Sequence, residues 1–329
     1  MKQSQFEAEQ AVVWAEYRGL LEALDQSWPK RRPNVQLQHF PRLFRRLCGH
    51  YALARSRGYS PGLVNELQEL VHRGYRQLYR SQRDWLGGTL AFLSIGFPRT
   101  LRRHAWAFWL SVAIFFGPML AMGLASYGNS EAIYSILDAG QVAEMESMYD
   151  PTNRKPGRNP ERQANTDFAM FGFYVMNNVG VAFRTFAGGL FFGLGSLFFL
   201  GLNGLVVGGV AGHLSQLGYG ETFWPFVSGH GALELTAIAI SGAAGLLLAA
   251  ALFAPGRRRR LDALRTNAAE AAKLITGAMI MLVLAAIIEG FWSASPIATQ
   301  FKYLFGGCWW LLVALYLALA GRRGGADAD

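Results

Sequence analysis

Charge and cysteine are what this chain has least of. Only 16% of its 329 residues are Asp, Glu, Lys or Arg, against about a quarter in an ordinary soluble domain. So little charge cannot coat a water-soluble surface of this size, and 52% of the residues are hydrophobic instead. There are two cysteines, Cys48 in a polar region and Cys308 in an apolar one, which excludes a disulfide framework and a cysteine metal site. Enzyme signatures are missing too. No Walker loop, HExxH or pair of aspartates within an apolar run occurs, so catalysis is not expected. The first hundred residues lack the short apolar core and small-residue cleavage site of a signal peptide, so the first membrane helix is expected to do its own targeting.

What the chain does have is several runs of about 18 or more apolar residues, the length that crosses a bilayer as a helix. The expected fold is all-α, a polytopic α-helical membrane protein with a small cytoplasmic N-terminal helical domain. The net charge of +9 would suit a nucleic-acid partner, but the arginines cluster beside apolar segments, at Arg99, Arg102 and Arg103, at Arg257 to Arg260, and at Arg322 and Arg323. That is where orientation signals belong, so the lipid bilayer is the expected partner and nucleic acid is not.

Residues 1–100 read as the cytoplasmic domain. Phe40, Leu43, Phe44, Leu47 and Tyr51 recur at helical spacing, and the helix should stop near Gly58. Ser60-Pro61 starts a second helix whose stripe is Leu63, Leu67, Leu70, Val71, Tyr75 and Leu78, and an earlier helix over Phe6 to Leu24 completes a three-helix unit. Residues 101–323 should hold about six membrane helices and 324–329 a cytoplasmic tail. Five spans stand out: Ala105 to Tyr127, Gly188 to Gly212, Gly231 to Ala254, Leu274 to Trp292 and Tyr303 to Ala320. A sixth, Phe168 to Phe186, carries Asn177, Asn178 and Arg184. Six crossings put both termini and Arg257 to Arg260 on the cytoplasmic face, whereas five would split them. The sixth therefore spans or re-enters, with a tight turn near Ala187-Gly188. Residues 128–166 become an extracytoplasmic loop whose stripe (Ile133, Ile136, Leu137, Val142, Met145, Met148) should pack on the membrane surface.

Polar groups at membrane depth cost several kcal/mol unless paired, so those that occur there need a reason. Asn177, Asn178, Asn203, His230 and Glu234 form the candidate intramembrane cluster, with Asn203 expected to reach the other amides across a helix contact. Gly189 and Gly193, and again Gly204, Gly208 and Gly212, recur every fourth residue, so they line one helix face and allow close backbone approach. His230 and Glu234 are neighbours on one helix face. They open a proton or ion relay, a two-ligand metal corner and a structural pair as readings, but the only other imidazole nearby is His213, so no metal or other cofactor is expected. Lys273 and Glu289 read as interfacial.

Asn177-Asn178, the Gly188 to Gly212 segment with Asn203-Gly204, and His230-Gly231-Ala232-Leu233-Glu234 together resemble the core pattern of the stage II sporulation protein M family, over roughly Ala105 to Ala320. The N-terminal domain, with Leu78 to Arg80, resembles the cytoplasmic extension of the longer members. The resemblance implies a bacterial inner-membrane protein of the cell envelope. It also implies partners such as a MoxR-type ATPase or peptidoglycan-remodelling proteins, and it supplies no catalytic residue. Two function classes follow. One is a non-enzymatic, homo-oligomeric membrane scaffold; the other is a transporter or channel whose polar path the cluster lines.

Overall fold

A computed structural model describes residues 2–25, 39–79, 85–153 and 164–322. It is 89% helical, and no strand occurs among the described residues. The chain divides into two compact units between Leu90 and Ala91. The boundary expected near residue 100 lies too late because the short helix α5 (Phe97–Arg103) belongs to the second unit. Phe97 and Leu101 are buried in that unit's core, and the Phe97 ring lies so close to Gly277 that a Cβ there would meet it at 2.2 Å.

The N-terminal unit is the expected three-helix assembly of α1 (Gln3–Asp25), α2 (Phe40–Ser56) and α3 (Pro61–Tyr79). Each stripe supplies one side of a shared core, with Phe6, Tyr17, Leu21, Leu47 and Leu67 almost fully buried. The Tyr17 ring stacks on Phe40 at 5.3 Å between centroids. Gly58 ends α2 in the left-handed region at φ 63°, and the Ser60 hydroxyl accepts the Leu63 N–H at 3.5 Å as α3 begins. A helix α4 (Trp85–Ala91) follows, then a π-helical turn at Phe92–Gly96.

In the second unit, α6 (Ala105–Gly128), α9 (Leu194–Gln216), α10 (Gly220–Phe253), the helix running over Arg260–Ser293 and α12 (Thr299–Leu319) are long and apolar enough to cross a membrane. These are the five spans that stood out in the sequence. The doubtful sixth is α8 (Ala164–Ala187), as long as α6 at 24 residues but outside that set of five. Its amides and Arg184 lower its hydropathy, while its length would still carry it about 36 Å.

The unit is built around α10. In its most apolar stretch 83% of residues are buried, against 17% in α6 and α12, which leave broad apolar faces outward. Leu233, Ala237, Ile240, Ala244 and Leu247 of α10 pack with Leu274, Ala278, Leu282 and Ala285 of α11 (Arg260–Ile287). Small residues recur here because lipid offers no hydrophobic drive between helices, so contact comes from close packing. Gly204, Gly208 and Gly212 do this on α9. A Cβ at each would meet the carbonyl oxygens of Phe115, Met119 and Gly123 on α6 at 2.2, 2.0 and 2.1 Å.

Gly189 and Gly193 do not extend that face. The α8–α9 connection is a 3₁₀ turn at Gly188–Leu190 followed by Phe192 at φ 52° and Gly193 at φ 78°, so α9 starts six residues after Gly188, at Leu194. Both glycines instead serve α10: a Cβ on Gly189 would meet Gly245 O at 2.1 Å, and one on Gly193 would meet Ala249 Cβ at 2.8 Å.

The connection from α6 to α8 opens with a 3₁₀ turn at Ser130–Ser135 and α7 (Ala139–Tyr149). Asp138 and Gln141 form a capping box at the start of α7, with hydrogen bonds of 3.0 and 3.2 Å. Ile133, Val142 and Tyr149 are buried, while Met148 is exposed, so the apolar stripe packs on the unit with Tyr149 at its end. The basic residues Arg154, Lys155, Arg158 and Arg162, together with Arg323 and the tail 324–329, lie outside the described residues. Arg102 has a task beyond orientation: its guanidinium donates to the carbonyls of Leu317 and Ala320 at 2.7 and 2.6 Å, satisfying the end of α12.

Candidate functional site

Three helical segments converge on one polar cluster. His230 is the eleventh residue of α10, about 15 Å beyond its start, because α10 begins at Gly220 and not where the apolar run opens. Glu234 follows one turn later, its carboxylate 3.8 Å from His230 Nε2, too long for a hydrogen bond. The imidazole is fixed from its other side, where Nδ1 lies 3.1 Å from Ser293 Oγ. His230 and Ser293 are 5% and 2% exposed, so neither can exchange this partner for bulk water.

Ser293 and Glu289 share a π-helical turn, Ile288–Ser293, that continues α11. Such turns insert one residue into the helical register, re-aiming the side chains they carry. Here Glu289 points toward His230 and Glu234, and one ligating atom from each of the three lies within 4.8 Å of the others. Glycines permit the convergence. A Cβ on Gly229 would meet Trp292 Cδ1 at 3.2 Å, and one on Gly290 would meet Phe171 Cβ of α8 at 3.3 Å.

From α8, Asn178 faces inward and is 4% exposed. Its Oδ1 accepts from Asn177 Nδ2 at 3.1 Å, and its amide lies beside the Glu289 carboxylate. In this rotamer neither Asn178 Nδ2 nor Glu289 Oε2 has a hydrogen-bond partner at normal distance. Asn177 is exposed and touches the cluster only through Asn178. Tyr149 closes the neighbourhood from α7. Burial, and after it the nearby Glu289, Tyr174 and Glu234, holds its phenol above the ordinary range, so it keeps its proton near neutral pH. The Lys302 ammonium is buried and donates to the Ser293 carbonyl at 2.6 Å.

Of the five expected cluster residues, His230, Glu234 and Asn178 come together. Asn203 does not join them. Its amide donates to the Phe199 carbonyl of its own helix at 2.6 Å, a local bond one turn back that satisfies it without a partner helix. Glu289, read from the sequence as interfacial, is a central member. Its presence within an apolar run was the available signal, but the π turn that aims it leaves no mark in the periodicity. His213 lies elsewhere, on α9, with Nε2 2.7 Å from Glu146 Oε1 of α7. Lys273 bonds Glu270 Oε1 at 2.5 Å.

Two cavities are apolar and touch none of the cluster. One, of about 450 Å³, lies among Phe108, Val112, Ala239, Val313 and Leu317, and the other lies among Ala169, Gly172, Met176 and Val283.

The family model described as Stage II sporulation protein M matches residues 108–294, and one described as a domain of unknown function (DUF8413) matches residues 4–80. The first covers α6 through the π turn and so includes every member of the cluster. The second coincides with the three-helix unit. No match was found among curated proteins or among solved structures.

Proposed function

We propose that this chain, which belongs to the Stage II sporulation protein M family, is a non-enzymatic scaffold of the bacterial inner membrane, assembled as a homo-oligomer in the cell envelope. The N-terminal unit would face the cytoplasm and meet a partner such as a MoxR-type ATPase, and the outer segment around α7 would meet peptidoglycan-remodelling proteins.

The observation that carries this reading is the backbone contact between α6 and α9. Three successive glycines leave no room for a side chain, so the two helices form one inflexible block. Alternating access rocks one part of a bundle against another, and this contact leaves no such motion between α6 and α9. The outward apolar faces of α6 and α12 suit contact with lipid or with further copies.

A second reading, a transporter or channel, is favoured by the convergence of His230, Glu234 and Glu289 inside membrane-spanning helices, since ionisable residues there often mark an ion path. One experiment separates the two. Wild-type protein reconstituted into sealed vesicles should leave proton and monovalent-cation leakage at the level of protein-free vesicles. In mild detergent it should elute as a defined oligomer by light scattering. Flux above the protein-free level that Glu234→Gln removes would replace the scaffold with the second reading.

A further inference from the structure

The sequence offers two ligands at His230 and Glu234; the structure adds a third, and two groups that hold the ligands in place. We propose that His230, Glu234 and Glu289 form a binding site for a single divalent transition-metal ion, with Asn178 and Ser293 as positioning residues.

The donor set is one imidazole nitrogen and two carboxylate oxygens, which suits zinc, manganese or ferrous iron and is poor for the soft ions that need sulfur. Bond lengths of ~2.1 Å put the ligand atoms of a tetrahedral site ~3.4 Å apart; His230 Nε2 and the Glu234 carboxylate are 3.8 Å apart, and atoms within 4.8 Å of one another need to close by at most about 1.4 Å.

The supporting groups are those a metal site requires. A ligating histidine uses one ring nitrogen for the ion and ties the other to a neighbour, which fixes tautomer and ring orientation. His230 has this arrangement, with Nδ1 on the Ser293 hydroxyl and Nε2 turned to the carboxylates. The Ser293 main chain is itself anchored by Lys302. Asn178 is a nearly fully buried amide with an unpartnered Nδ2 beside Glu289, placed to hold that carboxylate in a ligating rotamer.

Charge gives an independent reason. Ligation takes both carboxylates in the ionised form, −2 in all, of which the Lys302 ammonium that donates to the Ser293 carbonyl would offset only one charge among membrane-spanning helices. An uncompensated buried charge is costly, and a divalent ion removes the deficit while satisfying the lone pairs that face inward. The inference does not depend on the scaffold reading, because a metal clasp joining α10 to the π turn would serve a scaffold or a transporter equally.

The test uses tag-free, full-length protein in detergent, stripped with a chelator and titrated with ZnCl₂ or MnCl₂. One metal ion per chain should survive desalting, and X-ray absorption of the zinc form should show one imidazole in a nitrogen and oxygen shell. Glu289→Gln should remove stoichiometric zinc, and Asn178→Ala, which touches no ion, should weaken affinity by roughly 10- to 100-fold. His213→Gln, which alters the other buried histidine, should leave metal content unchanged. Because Glu289→Gln also bears on folding, the wild-type titration decides by itself: no zinc or manganese binding tighter than about 10 μM would overturn the proposal. Undiminished zinc in a folded Glu289→Gln protein, or zinc that departs with His213, would do the same.

Discussion

Replacing Gly208 by alanine adds one methyl group, and the structure says where it must go. Its Cβ would lie 2.0 Å from the Met119 carbonyl oxygen and 2.7 Å from the carbonyl carbon. Ordinary contact begins near 3.4 Å, so relieving the clash takes about 1.4 Å of separation between α6 and α9 at this turn. A radial gap of 0.5 to 1 Å already forfeits about a quarter to a half of each dispersion contact. The loss spreads to the neighbouring glycine turns, since Gly204 and Gly212 touch α6 through the same backbone. The expected cost lies toward the upper end of the ~1–3 kcal/mol typical of overpacking. That corresponds to a fall in Tm of roughly 4–12 °C for a unit of this size. Gly201 is the internal control. It lies on the same helix, and a Cβ there meets nothing within 4 Å. Gly201→Ala should leave stability unchanged or raise it slightly, because alanine is the better helix former. Thermal unfolding in detergent, followed by loss of the monodisperse peak on size-exclusion chromatography, measures both. Equal Tm values for the two variants would refute the claim that backbone contact holds α6 to α9.

Further outcomes follow from the topology and from the N-terminal unit. In a chain with both native cysteines replaced, a cysteine at Arg258 should react with an impermeant maleimide only after the cytoplasmic face is exposed, and one at Glu131 should react from outside; labelling of position 258 in intact cells would invert the orientation. The Trp14 indole N–H donates to His50 Nδ1 at 3.1 Å, which requires that nitrogen unprotonated, and burial followed by Arg46 holds the His50 pKa below 6.5 in the fold. The unfolded chain therefore binds the proton more readily, and the stability of this unit, full above pH 6.5, should decline as pH falls toward the folded value. Trp14 fluorescence during denaturation should show that decline, and its absence in the wild type, or its persistence in His50→Gln, would remove His50 as the cause.

Periodicity and composition determined most of the architecture. The stripe from Phe40 to Tyr51 and the Ser60-Pro61 start specify α2 and α3, because amphipathic helices of this length persist only by burying such stripes together. The five apolar spans and the turn after Ala187 were legible because a bilayer demands length and hydropathy locally, whatever the rest of the chain does. The cluster was half legible. His230 and Glu234 share a face by spacing alone, and an amide pair amid apolar residues announces a buried partner. Tertiary structure decided which partner. Asn203 satisfied itself on Phe199 one turn back, a bond open to it in any helix, whereas Asn178 turned inward beside Asn177 and Glu289. The aim of Glu289 depends on a π turn that packs against α8 and α10, helices distant in sequence, and the role of Gly189 and Gly193 on a turn formed where α10 approaches. Both are properties of neighbours meeting in space, for which a one-dimensional pattern has no period.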